Sequence, residues 1–292
     1  MKSFCIKTNH NSIITHLLKS LNSIPDIIFV HKKFKIYNNI IIHYNEKNIN
    51  SFVNAISHIL TDCVILFYEP QLIRSLINFN YFYFNNSEKK YIAENCYDYI
   101  LNFEENMYSE EENISDFPIR EDIIFSAFTN YINSNKSVIL DGFINFRLFD
   151  YIKILEEIID YEVNQYVIEK EYVEFIDLLK IYIDSNESKK DFVHLIYTNG
   201  ESILLDKNKS IISVTEHSLE AKYLSDITFS SNDYTLNTLL TLLPKTIELH
   251  IIGESDDFVH TLELIFRNRI YICKNCHICR TYRILNNVSH EI

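Results

Sequence analysis

The sequence predicts an α+β protein, and three observations carry that reading. The opening segment mixes β-rich runs with a short amphipathic helix, the centre carries a sustained helical period, and the final third returns to the alternating pattern of strands. At 292 residues and 47% hydrophobic, the chain can bury a real core and divide into more than one packed unit. Three Gly, four Pro and no Trp, beside abundant Ile, Asn, Tyr, Phe and Lys, read as codon bias rather than functional selection.

The first unit reads β-α-β-β. Ser3 to Thr8 is a strand, and Asn11 to Ile24 is a helix with Ile13, Ile14, Leu17, Leu18 and Leu21 on one side, ended by Pro25. Ile27 to Tyr37 and Ile40 to Tyr44 are β-rich, and Asn38-Asn39 between them tolerates the positive φ of a tight turn. From Asn48 to Asn80 the pattern is helical, with Pro70 expected to kink or divide it. Ser87 is the expected N-cap of the next helix. Six carboxylates and no Lys or Arg lie between Glu104 and Asp116, the composition of a mobile linker.

Beyond Pro118 a helix places Ile123, Phe128 and Ile132 inward. Leu148, Ile152, Leu155, Ile159 and Val163 then recur at spacings of four, three, four and four, an apolar helical stripe. A second helix is expected to bury Tyr172, Phe175, Ile176, Leu179 and Ile183. Phe192 to Thr198, Asn199-Gly200 and Ser202 to Asp206 form a hairpin, with Ile211 to Val214 as a third strand. Ser231 or Asn232 caps a helix to Leu243. The strand Ile247 to Ile252, a helix capped by Ser255 and the strand Ile270 to Cys273 close the chain as β-α-β. The expected organisation is an N-terminal unit at 1–103, an acidic linker at 104–118, a central helical segment at 119–190 and a C-terminal α/β unit at 191–292.

A net charge of −13 argues against a dominant role on nucleic acid, whose backbone is bound through Lys and Arg. Arg267, Arg269, Lys274, Arg280 and Arg283 form a short basic tail that is the local exception. Cys63 to Tyr68, CVILFY, is far shorter than the ~20 apolar residues of a membrane span, and the N-terminus lacks a signal-peptide core. A cytoplasmic protein without a transmembrane segment is the expectation.

Cys273, Cys276 and Cys279 form C-x2-C-x2-C with His277 inside, directly after a predicted strand. Thiolates this close can share a tetrahedral zinc or hold an iron-sulfur cluster. A ferredoxin-type run would place Cys where Arg283 stands. Zinc needs a fourth ligand, for which His277, a remote Cys such as Cys5, Cys63 or Cys96, or a Cys of a second subunit are available. The other readings are reduced, packed cysteines and a thiol redox centre.

Elsewhere the chemistry is plainer. Arg147 can meet an outside carboxylate, but an internal pair with Asp150 or with the Glu169 to Glu174 helix is the commoner use. Glu169, Glu171 and Glu174 read as a solvated face at a helix start. No H-E-x-x-H, P-loop or dinucleotide fingerprint occurs, which excludes the common nucleotide enzymes.

The wording DGFINFRLFDY, Asp141 to Tyr151, with EKEYVEFIDLLK, Glu169 to Lys180, and HTLELIFRNRIYICKNCHIC, His260 to Cys279, resembles the YtxC family of bacterial sporulation proteins. The resemblance covers about Ile119 to Cys279. It implies an association with endospore formation and carries no catalytic residue. The expected function is therefore a sporulation-associated protein acting through an unidentified protein partner, with a structural metal at the cysteines. The alternative is a metal- or thiol-dependent redox protein or enzyme using Cys273, Cys276 and Cys279.

Overall fold

The computed structural model describes residues 1–109, 120–212 and 230–289, and within them the protein is α+β. Two compact units divide the chain, Met1–Val167 and Ile168–Ile292.

The first unit is built on a four-stranded sheet of order β2-β3-β1-β4, from β1 (Lys2–Thr8), β2 (Ile28–Lys33), β3 (Asn38–Tyr44) and β4 (Ser137–Ile139). Strand β1 runs antiparallel to β3 and parallel to β4. Alternation sends Phe4, Ile6, Ile40, Ile42 and Val138 to one face, where they are buried with Ile13, Ile14, Leu17 and Leu21 of α1 (Asn11–Leu21). The hairpin turn is Phe34 to Tyr37, closed by the Phe34 N–H on the Tyr37 carbonyl at 3.0 Å. Asn38 and Asn39, expected in the turn, are instead the first residues of β3, paired with Lys33 and Lys32.

The helical run after β3 consists of α2 (Ile49–Cys63), a π-turn at Val64–Tyr68 and α3 (Glu69–Asn80). Pro70 lies in the first turn of α3. It has no N–H for the Leu66 carbonyl, and the wider turn just before it absorbs that loss without ending the helix. By length and composition the segment Glu46–Asn80 could cross a membrane. Phe52, Val53, Ile56, Leu60, Cys63 and Val64 are buried in the core of this unit, which is the use the fold makes of that apolarity.

Helix α4 (Asn86–Ser109) is capped by Asn85 rather than Ser87: the Asn85 Oδ1 accepts from the N–H groups of Ser87 and Glu88, and Glu88 accepts in return from the Asn85 N–H at 2.8 Å. The helix continues through the start of the acidic stretch, while residues 110–118 of the expected linker lie outside the described residues. Helices α5 (Arg120–Ser134), α6 (Leu140–Arg147) and the first part of α7 (Phe149–Ser185) join the same core through Ile124, Phe128, Phe143, Leu148, Leu155, Ile159 and Val163.

Where the spacing predicts two helices, α7 is one of 37 residues. No Gly or Pro interrupts it, so Glu169, Glu171 and Glu174 sit on a mid-helix surface and not at a helix start. In its second part Ile176 and Ile183 are buried, whereas Tyr172 and Phe175 are exposed.

The second unit carries a sheet of order β6-β5-β7-β8, from β5 (Lys190–Thr198), β6 (Glu201–Leu205), β7 (Pro244–Ile252) and β8 (Ile270–Ile272). Strands β5 and β6 form the expected hairpin, with Asn199 at φ 51 and Gly200 at φ 81, the positive pair that a two-residue turn demands. Ile211 adds a single bridge to Leu205, and Ser213 and Val214 of the expected third strand lie outside the described residues. Strands β5, β7 and β8 are parallel, with α8 (Ser231–Leu242) and α9 (Asp257–Phe266) in the connections. Their caps are Ser230, in a reciprocal box with Asp233, and Asp256, each one residue from the expected position. Val193, Leu195, Tyr197, Ile247 and Leu249 pack with α8, α9 and the end of α7. The opposite face meets the cysteine loop and α10 (His277–Ser289) through Ile196, Leu205, Ile252, Ile278 and Cys279.

One ion pair anchors the first core. Glu69, 4% exposed, accepts from Arg120 and from the Tyr151 hydroxyl. Arg120→Ala leaves that carboxylate buried without its cation and is expected to cost about 3–5 kcal/mol. Urea unfolding followed by circular dichroism reads this as a lowered midpoint; an unchanged midpoint would contradict the assignment.

Candidate metal centre

The site grows from two features of the second sheet. Strand β7 alternates Ile247, Leu249 and Ile251 toward one face with Glu248, His250 and Ile252 toward the other. Strand β8 ends at Ile272, and the Cys273 N–H continues the ladder onto the Leu249 carbonyl at 2.8 Å, which fixes the first cysteine beside β7. The chain then turns twice with the same spacing. The Cys276 N–H faces the Cys273 sulfur, and the Cys279 N–H faces the Cys276 sulfur. Cys276 thus stands at the start of α10, where free amide groups favour negative charge.

These turns collect three sulfurs around one imidazole. Cys279 Sγ lies 3.8 Å from Cys273 Sγ and 4.0 Å from Cys276 Sγ. His250 Nδ1 is 3.4 Å from Cys279 Sγ and 3.5 Å from Cys276 Sγ, and the four donors lie within 4.8 Å of one another. His250 is fully buried. The sulfurs are unbonded, all six cysteines being free. A tetrahedral zinc with bonds of about 2.3 Å to sulfur and about 2.05 Å to nitrogen separates sulfurs by about 3.8 Å and sulfur from nitrogen by about 3.6 Å. The observed spacings fit that figure, so this Cys3His group can hold a single metal ion.

The imidazole has a second tier behind it. His250 Nε2 lies 3.0 Å from His194 Nδ1, and that same nitrogen of His194 lies 3.1 Å from Glu248 Oε2. One nitrogen cannot both donate to Glu248 and accept from His250. A metal on His250 Nδ1 requires the proton on Nε2, which makes His194 the acceptor. Burial holds both imidazoles below their ordinary pKa, so they are disposed to the neutral form that a ligand and its supporting base need.

The thiols differ among themselves. Burial and the neighbouring Cys276 push the Cys273 thiol up to about 12. Burial acts on Cys276 in the same direction, but the amide groups of Cys279 and Ile278 and the Cys273 thiol outweigh it and leave Cys276 below the ordinary value.

Of the residues singled out in the sequence, Cys273, Cys276 and Cys279 come together and His277 does not join them. Its side chain is exposed and contacts Thr281 one turn on, because the first residue of α10 points away from the cluster. Cys5 is a β1 residue, and Cys63 and Cys96 are buried in the core of the first unit. Sequence reasoning misses His250, His194 and Glu248, whose signal is a polar side chain on the second face of an otherwise apolar strand. Arg147 is exposed and makes no ion pair among the described residues, so the expected internal pair with Asp150 is not made; it lines a shallow surface depression with Asp122, Asn130 and Asp150. In metal-free protein at neutral pH, alkylation with iodoacetamide is expected to reach Cys276 before Cys63 and Cys96, whose thiols burial pushes up to about 12. Peptide mapping checks the order, and earlier labelling of Cys63 or Cys96 would contradict it.

Comparison with known proteins agrees with the resemblance. The uncharacterized protein YtxC of Bacillus subtilis (strain 168) is 22% identical over 129 residues, covering 44% of this chain and 46% of that protein. The match therefore spans about half the length of that relative. No solved structure matches. The YtxC-like family matches residues 54–271, beginning in α2, far before Ile119, and ending just ahead of Cys273; His194, Glu248 and His250 lie inside it. That extent is well over half of the sequence, and the chain belongs to the YtxC-like family.

Proposed function

We propose that this protein is a cytoplasmic, non-enzymatic participant in endospore formation that acts through protein contacts. We further propose that its C-terminal unit is completed by a zinc ion held by His250, Cys273, Cys276 and Cys279. The sporulation role rests on the resemblance to the YtxC family. The metal rests on one observation, the gathering of three sulfurs and one imidazole nitrogen within 4.8 Å of one another, with the four closest separations at tetrahedral spacing.

Four protein ligands fill a tetrahedral shell and leave no position for water or substrate, which is the arrangement of a structural site and not of a catalytic one. The ion would tie the loop after β8 and the start of α10 to β7. Zinc supplies charge neutralisation for the thiolates and no redox chemistry. His250 supplies the neutral ligand, and His194 holds its proton on Nε2.

The test is metal analysis with an ultraviolet-visible spectrum on protein purified anaerobically without a metal-affinity tag. Near-stoichiometric zinc in a colourless sample is expected. A brown, iron-containing sample would replace zinc with a cluster, and neither metal with freely titrating thiols would favour the redox alternative. In zinc competition against a chromophoric chelator, His194→Ala is expected to weaken binding about 10–100-fold, while His250→Ala loses more. His277→Ala should match the wild type, and loss on that substitution instead of His250→Ala would overturn the ligand set.

A further inference from the structure

The β2–β3 hairpin is a second stretch of local positive charge, in addition to the tail at Arg267 to Arg283. Residues 27–45 hold Lys32, Lys33, Lys35, His31 and His43 and no carboxylate, in a chain whose net charge is −13. The nearest carboxylates along the chain are Asp26 and Glu46, and Glu46 is engaged by Lys2 at 2.6 Å. Among the described residues the three hairpin lysines make no ion pair.

The same hairpin exposes apolar side chains that nothing in the first core requires. Phe34 and Ile36, in the turn, are 54% and 72% exposed. Ile28 and Val30 on the edge strand β2 are 60% and 41% exposed. The register places Ile28, Val30 and Lys32 opposite His43, Ile41 and Asn39, on the sheet face away from the helices. Cys5, Lys7 and Ile139 continue that face across β1 and β4. Such a face is half apolar, flanked by lysines and free of acidic residues.

We infer that the β2–β3 hairpin docks the protein on an anionic lipid surface, with Phe34 and Ile36 entering the interface and Lys32, Lys33 and Lys35 on the phosphate groups. A lysine near such a surface gains from the negative potential, and a bulky apolar side chain at a projecting turn gains from leaving water. Nucleic acid would use the lysines but not the aliphatic and aromatic tip, and residues 27–45 contain no arginine for bidentate phosphate contact. An acidic protein partner would have to supply an apolar groove of its own for Phe34 and Ile36, which a lipid interface offers without one.

The experiment is co-sedimentation of the full-length protein with vesicles of phosphatidylcholine alone and of phosphatidylcholine mixed with phosphatidylglycerol. Binding is expected only to the mixed vesicles and should weaken with salt. Replacing Lys32, Lys33 and Lys35 with Gln should lower the partition constant about fivefold for each lysine removed. Phe34→Ser with Ile36→Ser should lower it about tenfold or more with the lysines intact. Circular dichroism of each variant checks that the fold is kept, as the exposure of these positions leads one to expect. Equal partition of wild type and variants, or equal binding to neutral vesicles, would overturn the proposal. So would tight, salt-sensitive retention of duplex DNA that the Phe34→Ser, Ile36→Ser variant keeps in full while vesicle binding is absent.

Discussion

Three sulfurs and a buried imidazole nitrogen share one small volume, and the C-terminal end of the second unit depends on what holds them there. Ionised thiolates at 3.8–4.0 Å repel, and neutral thiols offer only weak hydrogen bonds. The apolar cluster around them is small, Ile196, Leu205, Ile252, Ile278 and Cys279, so hydrophobic burial alone gives α10 little attachment to the sheet. A cation among the donors would convert the repulsion into attraction and join β7, β8 and α10 at one point. The preceding β-α-β unit already has its own core on the other face of the sheet, which separates the scaffold from the site it presents.

That separation explains the chemistry the site supports. Strand β7 supplies His250 from a regular, doubly paired strand, and β5 supplies His194 from the neighbouring strand, where the two imidazoles meet at 3.0 Å. Positions on paired strands are held more firmly than positions on loops, and the loop contributes only the cysteines, whose repeated turn orients them through their own amides. One of the four ligands, His250, is therefore imposed by the sheet, and the three cysteines are gathered by their own turns.

Much of the fold was legible in the sequence because hydrophobic period and turn chemistry agree there. The hairpin at Asn199-Gly200, the β7-α9-β8 ending and the stripe from Leu148 to Val163 follow directly from spacing. Other features depend on context that no local pattern carries. Helix α7 runs through Glu169 to Glu174, an acidic stretch that looks like a helix start, because nothing there breaks the helix. The turn at Phe34 to Tyr37 lacks both Gly and Asn, which draws the expectation to Asn38-Asn39. The cysteines announce themselves by spacing, but His250 lies on a separate strand and reaches them only through the register of β7 with β8. His277, adjacent in sequence, is carried outward by the first turn of α10.

The most direct test of the metal centre is X-ray absorption at the zinc edge on the full-length protein. A shell of three sulfurs at about 2.3 Å and one nitrogen at about 2.05 Å, with the outer-shell scattering of an imidazole, is the predicted result. A shell of oxygen and nitrogen only, or a fourth sulfur in place of the imidazole, would contradict it.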